Sequence, residues 1–421
     1  MKTSKKTTPW PVFIAIILAF IIGNWTGTDS KILTLTFYSI YDVLGTLFIN
    51  ALTMVVVPLV LSSIVLGISR MGNEGSFGKL SLKIFGFYVL TTLSAVLIGL
   101  FFVNILHPGN PEILTKSKFL IEQQTLSPEN TSAFSTLLLS IIPSNIFNAL
   151  SKGDMLAIIF FSLLFGYSVS QLKGETGKTL QEFFQGLFQT MITITHLVMK
   201  ALPLGVFCLV AKVAATTGYE SLSSLALFFG TVLGGLIVFS LGVIPLFLRF
   251  VGKVSPKAFF QVISPALITA FSTSSSAATL PITMDCLEKK GGISNRICSL
   301  VVPLGTSLNM SGSALYECVA AMFVAQVYGV EFSFVSQVVF VLMALLTSMG
   351  VVGIPSASLI AVMVILKAFN LPIEGIGLFL AVDRVLDMCR TTVNVLSDSC
   401  CAVLIAKSEG EKITLQSKRS L

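Results

Sequence analysis

Apolar segments follow one another through the first 250 residues, at 11–22, 36–68, 84–106, 133–171, 183–216 and 223–250. A hydrocarbon core takes about 20 helical residues to cross, and inside it every backbone N–H and C=O must find a partner within the chain. Such a succession constrains the fold to a bundle of membrane helices. The rest of the composition agrees: 54% of the 421 residues are hydrophobic and 11% are charged, whereas a soluble domain carries about 25% charged residues. The segment 133–171 is broken by Pro143 and by the polar SKGD at 151–154, which places a turn inside it.

The net charge of +7 is collected in short connections. Lys2, Lys5 and Lys6, then Arg70, Lys79 and Lys83, then Arg249, Lys253 and Lys257, and finally Lys407, Lys412, Lys418 and Arg419 all fall on one side of a six-span count. Positive charge marks the cytoplasmic side. The expectation is a multi-pass protein of the plasma membrane, the inner membrane in a bacterium, with both termini cytoplasmic and the lipid bilayer as its first partner. Charge placed this way is topology, and it excludes nucleic acid as a partner. MKTSKKTTPW ahead of the first apolar run looks like a secretory leader, but GNWTGTDSK behind it has no small-x-small cleavage site, so the run reads as a retained span. Cys208, Cys286, Cys298, Cys318, Cys389, Cys400 and Cys401 form no CxxC pair and lie in or beside apolar segments; they read as buried thiols. His107 and His196 stand alone, without the clustering that metal catalysis needs.

Beyond residue 253 two apolar stretches are interrupted at half length. AFFQVISPALITAF reaches the polar STSSS at 272–276 and AATLPITMDCL leads away from it; VSQVVFVLMALLTSM reaches GVVGIPSAS at 350–358 and LIAVMVILKAF leads away. An arm of about a dozen residues spans roughly half a bilayer. Each pair of arms reads as a re-entrant hairpin, and each is followed by a long helix with polar residues in its middle, 297–328 and 375–406. The two hairpin–helix units enter from opposite sides, which is an inverted repeat with irregular tips meeting near the midplane. Irregular backbone at that depth is tolerated where protein or water covers it, so the tips mark a cavity.

The last long segment holds DRVLDMCRTTVNVLSD at 383–398. At about 100° per residue, Asp383, Asp387, Arg390, Thr391, Asn394 and Asp398 share one face of a helix. Each charge at the centre of a span costs about 2.5–3.5 kcal/mol on insertion scales, a cost that points to function. A salt-bridge network tying helices together is the structural alternative. A guanidinium can clamp a carboxylate through two hydrogen bonds, and a carboxylate can hold an ammonium. If Asp387 and Arg390 pair with each other, nothing is left for a solute; if the tips hold them apart, each can take the opposite end of a zwitterion, as an amino acid is. STSSS offers N–H groups at the start of a half-helix, where a carboxylate is favoured. GTSLNMSGSALYE at 305–317 places glycines, Asn309 and a carboxylate inside an apolar run, oxygen ligands for a hard cation or else a small-residue packing face.

Four of these stretches together resemble the glutamate transporter family, the dicarboxylate/amino acid:cation symporters: STSSSAATLP its first hairpin tip, NMSGSALYE its NMDGT segment, GVVGIPSAS its second tip and DRVLDMCRTTVNVLSD its last helix. The resemblance covers nearly the whole chain, in order. It implies an all-α polytopic membrane protein with eight transmembrane helices and two re-entrant helical hairpins, an elevator-type transporter assembled as a homotrimer. Residues 1–253 would hold six helices, scaffold and trimerisation helices with part of the transport domain; 254–407 would hold both hairpins and the two long helices; 408–421 would be a cytoplasmic tail. For the substrate it implies Ser275, Asn394 and neighbouring tip residues Ser274 and Ser276 at the α-carboxylate. Asp387 and Thr391, with carbonyls of Thr273 and Ile354, would take the amino group, and Arg390 and Ser313, with backbone near Ser358, the side-chain carboxylate. One sodium would sit among Gly305, Asn309, Asn394 and Asp398, and another among Ser307, Met310, Ser348, Met349 and Val351. A third belongs in the family with Tyr88, Thr91, Thr92, Asn309 and the Asp of NMDGT.

The chain departs from that pattern in having Ser311 at the Asp of the motif, so the third cation site lacks its carboxylate. Positions that often carry a second arginine hold Thr273 and Met388, and Ser313 replaces a threonine. The function expected is import of glutamate and aspartate coupled to sodium, with no cofactor beyond the coupling ions. Proton coupling or amino acid exchange are the alternatives within transport, and an anion-conducting channel is the alternative of another class. A hydrolase is disfavoured because no Ser-His-Asp or GxSxG arrangement occurs.

Overall fold

A computed structural model describes residues 10–28, 30–32, 35–69, 77–109, 142–172, 174–217, 221–330, 332–349 and 358–414. In chain order the helices are α1 (Trp10–Thr26), α2 (Phe37–Ser69), α3 (Phe77–Leu106), the short α4 (Ile146–Lys152), α5 (Met155–Gln171), α6 (Glu175–Met199), α7 (Leu202–Thr217) and α8 (Ser221–Val238), which runs on through wide turns to Val251. Then come α9 (Pro256–Thr273), α10 (Ser276–Asp285), α11 (Asn295–Leu308), α12 (Ser311–Val327), α13 (Phe334–Ser348), α14 (Ser358–Ala368) and α15 (Leu380–Ser408). Among the described residues the strand content is one small ladder, Lys31–Ile32 against Leu35–Thr36.

Four stretches, Phe37–Ser69, Leu82–Leu106, Ser224–Val251 and Asn295–Val327, have the length and apolarity to cross a bilayer among the described residues, and the α6–α7 pair makes a fifth if taken as one span. The chain is a helical, multi-pass membrane protein. The exposed side chains carry the same message: Leu90, Leu97, Phe101 and Ile105 of α3 are exposed and lie on one helical side, a stripe that lipid would cover.

Three segments differ from their sequence reading. The apolar run 183–216 bends by 57° between α6 and α7, where Pro203 has no N–H to return to the preceding turn. The run 297–328 is two helices, separated at Asn309 and Met310, whose φ/ψ of −120°/62° and −94°/59° leave the helical region. The last helix begins at Leu380, after a tight turn over Ile373–Leu378.

Packing divides the helices into two groups. α1 lies along α7, and α2 packs on α5, α6 and α7. In the other group α15 is the hub, against α9, α10, α11, α12, α3 and α8. Its start is pinned by aromatic rings: Phe228 of α8 lies 4.8 Å from Phe323 of α12 and 5.4 Å from Phe379, the residue before α15. Its end is tied by the chain that follows. Glu411 accepts hydrogen bonds from the backbone N–H and the hydroxyl of Ser294, the N-cap of α11, and Glu409 meets Lys83 of α3 at 2.6 Å.

Close contact between α12 and α15 depends on Gly312. A Cβ there would stand 2.6 Å from the carbonyl oxygen of Arg390 and 3.0 Å from Cβ of Val393. Gly305 does the same for a side chain, since a Cβ would fall on the Asp398 carboxylate. These glycines therefore permit close approach, while the helix break lies between them. Gly312→Val should force the two helices apart at a cost of about 1–3 kcal/mol, read as a lower thermal unfolding midpoint of the purified protein; an unchanged midpoint would contradict the contact.

Candidate functional site

The first hairpin turns at STSSS. α9 ends at Thr273, Ser274 adopts a left-handed φ of 49°, and Ser275 caps α10 by accepting the N–H of Ala278. Two serines beside that cap, Ser274 and Ser276, are buried with hydroxyls that have no partner among the described residues. The two hydroxyls are enclosed while Thr273, Ala277 and Ala278 around them are exposed, and both arms pack on α15. Buried hydroxyls without partners are costly, and an anion placed here would satisfy them. Of the second tip, Val351 and Ile354 lie outside the described residues; Ser358, the first residue of α14, is buried.

On α15 the charges are paired. Arg390 is fully buried; its Nη1 donates to Oδ1 of Asp383 at 2.8 Å, and its Nη2 stands 3.0 Å from Oδ1 of Asp387. Tyr316 of α12 donates its hydroxyl to the same Asp383 oxygen at 2.7 Å and presents its ring 4.0 Å from the guanidinium carbon of Arg390. Arg384 donates to Oδ2 of Asp387 at 3.3 Å. The tips thus do not hold Asp387 and Arg390 apart, and Asp383 and Arg384, which the sequence left without a role, complete the network. The reason is length: at i and i+3 an arginine reaches an aspartate without help from any other element. Even so, the contact with Asp387 is not an aligned hydrogen bond. Nε and Nη2 of Arg390 have no hydrogen-bond acceptor among the described residues. Together they form the edge of a guanidinium that grips a carboxylate at two points.

Thr391 is buried on the same face. Asn394 is engaged with α12: its Oδ1 accepts the N–H groups of Gly312 at 2.8 Å and Ser313 at 3.2 Å, and its Nδ2 donates to the Ser313 hydroxyl at 3.0 Å. Two residues expected at opposite ends of a substrate therefore touch each other, and Asn394 caps α12 from a neighbouring helix. That satisfies donors the broken helix leaves open.

Below it lies a second polar cluster around the break. Asn309 donates to Oδ1 of Asp398 at 2.9 Å and to the Ser397 hydroxyl at 3.1 Å. Its own Oδ1 accepts from Thr91 at 3.0 Å, Ser311 at 3.2 Å and Thr92 at 3.3 Å. Ser311 also meets Ser397 at 3.0 Å and Thr92 at 3.3 Å, and Tyr88 donates to the carbonyl of Val301 at 2.6 Å. The carbonyl of Gly305 accepts the N–H of Asn309. Met310, Ser348 and Met349 are buried, Ser307 is half-buried, and the Ser348 hydroxyl donates to Leu345 O. The structure brings Tyr88, Thr91, Thr92, Asn309, Ser311 and Asp398 into one neighbourhood, rich in oxygen and carrying one carboxylate.

The carboxylate of the 305–317 stretch is buried as well. Glu317, inside α12, accepts from Thr347 of α13 at 2.9 Å, and its Oε1 has no partner among the described residues. Its signal was legible: a glutamate in the middle of an apolar helix is rare enough to carry a functional expectation by itself.

A sequence profile described as the sodium:dicarboxylate symporter family matches residues 9–408. The chain is 35% identical over 405 residues to a proton/sodium-glutamate symport protein of Bacillus caldotenax, covering 96% of this chain and 94% of that one. It is 32% identical over 415 residues to a proton/glutamate-aspartate symporter of Escherichia coli, at 97% and 94% coverage, and 33% identical over 414 residues to a C4-dicarboxylate transport protein of Bacillus subtilis, at 98% and 95%. A polytopic helical chain built around paired charges on α15, matched over residues 9–408, belongs to the sodium:dicarboxylate symporter family, a family of transporters and not of enzymes.

Proposed function

We propose that this protein imports acidic amino acids, glutamate and aspartate, in symport with sodium. The observation that carries the reading is the buried edge of Arg390, Nε and Nη2, without an aligned acceptor among the described residues and next to Asp387. A distal carboxylate on that edge would release Asp387 to hold the ammonium, with Thr391 beside it and carbonyls of Thr273 and Ile354 near. The α-carboxylate goes to the positive end of α10, where Ser274, Ser275 and Ser276 lie, with Asn394. Ser313 and the backbone at Ser358 complete the distal end. Named activities of the relatives support acidic amino acids as cargo.

One sodium is assigned to Gly305, Asn309, Asn394 and Asp398, and a second to Ser307, Met310, Ser348, Met349 and Val351. At the third position, Ser311 with Thr91, Thr92 and Ser397 fills its hydrogen bonds internally, so the reading there is two cations. In this proposal the chain has eight spans and two re-entrant hairpins, works as an elevator in a homotrimer of the plasma membrane, and keeps both termini in the cytoplasm. The hairpins, the two long helices and part of residues 1–253 move as the transport unit. A second reading, proton coupling, is favoured by Glu317, a buried carboxyl with one oxygen unpartnered among the described residues.

Uptake of labelled aspartate into vesicles containing the purified protein should follow an inward sodium gradient at equal pH. A pH gradient that suffices alone would move the coupling to the proton, and indifference to both would end the symport reading. Ser311→Asp should steepen the dependence of uptake on sodium concentration; an unchanged slope would show that the hydroxyl costs no cation. Arg390→Cys should weaken aspartate by about tenfold or more, the worth of a charge-assisted bond, and turn preference toward neutral amino acids. Unchanged selectivity in the folded variant would remove Arg390 from the distal carboxylate.

A further inference from the structure

Arg384 has no place in the roles above, yet it is buried to 8% exposure in the same network. Asp387 lies between two cations: Nη1 of Arg384 faces its Oδ2 at 3.3 Å and Nη2 of Arg390 faces its Oδ1 at 3.0 Å. The two guanidinium groups are not held alike. Arg390 has a 2.8 Å bond to Asp383 and the ring of Tyr316 beneath it. Arg384 has one long bond, and its Nε is buried without an acceptor among the described residues. On the helix it lies about 60° round from Asp387, at the border of the polar face. Arg384 is the partner that can give way.

We propose that Arg384 is a positioning residue that stands in for the ammonium of the cargo. It neutralises Asp387 while no amino group is present and yields the Oδ2 side when one arrives. A buried carboxylate deprived of its partner is strongly destabilising, so a site emptied of its amino acid needs such a substitute. The consequence concerns selectivity. With Arg384 in place, a dicarboxylate without an amino group, such as succinate, meets an Asp387 that is already compensated, and the site accepts it. Without Arg384, succinate must sit beside a carboxylate that has lost one of its two cations, whereas aspartate replaces that cation with its own ammonium. Arg384 therefore sets how sharply the site distinguishes an amino acid from a plain dicarboxylate. This inference rests on the acidic amino acid reading and deepens it.

The test is displacement of labelled aspartate from the purified full-length protein by unlabelled aspartate and by succinate, in wild type, Arg384→Gln and Arg384→Lys. The preference for aspartate over succinate should rise about tenfold in Arg384→Gln, the equivalent of losing one charge-assisted bond. It should rise part of the way in Arg384→Lys, whose point charge lacks the fork; that milder variant decides if the glutamine form does not fold. A merely structural role would weaken both ligands together, so an unchanged ratio in folded variants overturns the inference. Wild type that binds aspartate and excludes succinate altogether also overturns it, with the functional reading intact. Wild type that binds neither ligand overturns both.

Discussion

A guanidinium with no exposure to solvent, fixed against two carboxylates and a tyrosine ring, is the condition to which the rest of this structure answers. Removing one partner from a buried ion pair costs about 3–5 kcal/mol, so Asp383, Asp387 and Arg390 have to be placed together and sealed together. The seal is α12, whose side chains are almost all buried, and it lies close because Gly312 offers no Cβ to the backbone of Arg390. Asn394 then answers the open N–H groups at the start of α12. The break at Asn309 and Met310 lets Asn309 reach Ser397 and Asp398 of α15.

Much of this was legible in the sequence. The apolar runs announced membrane helices, the half-length arms around STSSS announced a turn within them, and the spacing of Asp387, Arg390, Thr391 and Asn394 announced one polar face. All three are consequences of periodicity, which a sequence carries in full. What periodicity leaves out is where a side chain ends. It puts Asp387 and Arg390 on one face but does not say that they touch, nor that Asn394 reaches across to α12 and leaves its own helix surface. The bend before α7 needed Pro203 to be read against its partner one turn back. The tether of Glu411 to Ser294 joins residues far apart in the chain, and no local pattern announces such a contact.

The lower cluster shows how one substitution is absorbed. Where the family motif carries an aspartate, Ser311 forms hydrogen bonds with Asn309 and Ser397 and lies near Thr92. Each of those hydroxyls can donate and accept, so the neighbourhood closes on itself without a further charge. Asp398 is the carboxyl of that cluster and is held by Asn309, while Glu317 is held separately by Thr347. The polar face of α15 and the cluster around Asn309 thus meet at the broken segment between α11 and α12, which gives a physical route for each to feel the other.

Transport by this site requires that a solute take over the edge of Arg390. The direct measurement is an experimental structure of the protein with aspartate and sodium bound. The distal carboxylate should lie within hydrogen-bond distance of Nε and Nη2 of Arg390, with the ammonium against Asp387. An aspartate bound elsewhere, with the contact between Arg390 and Asp387 intact and the network unchanged, would contradict it.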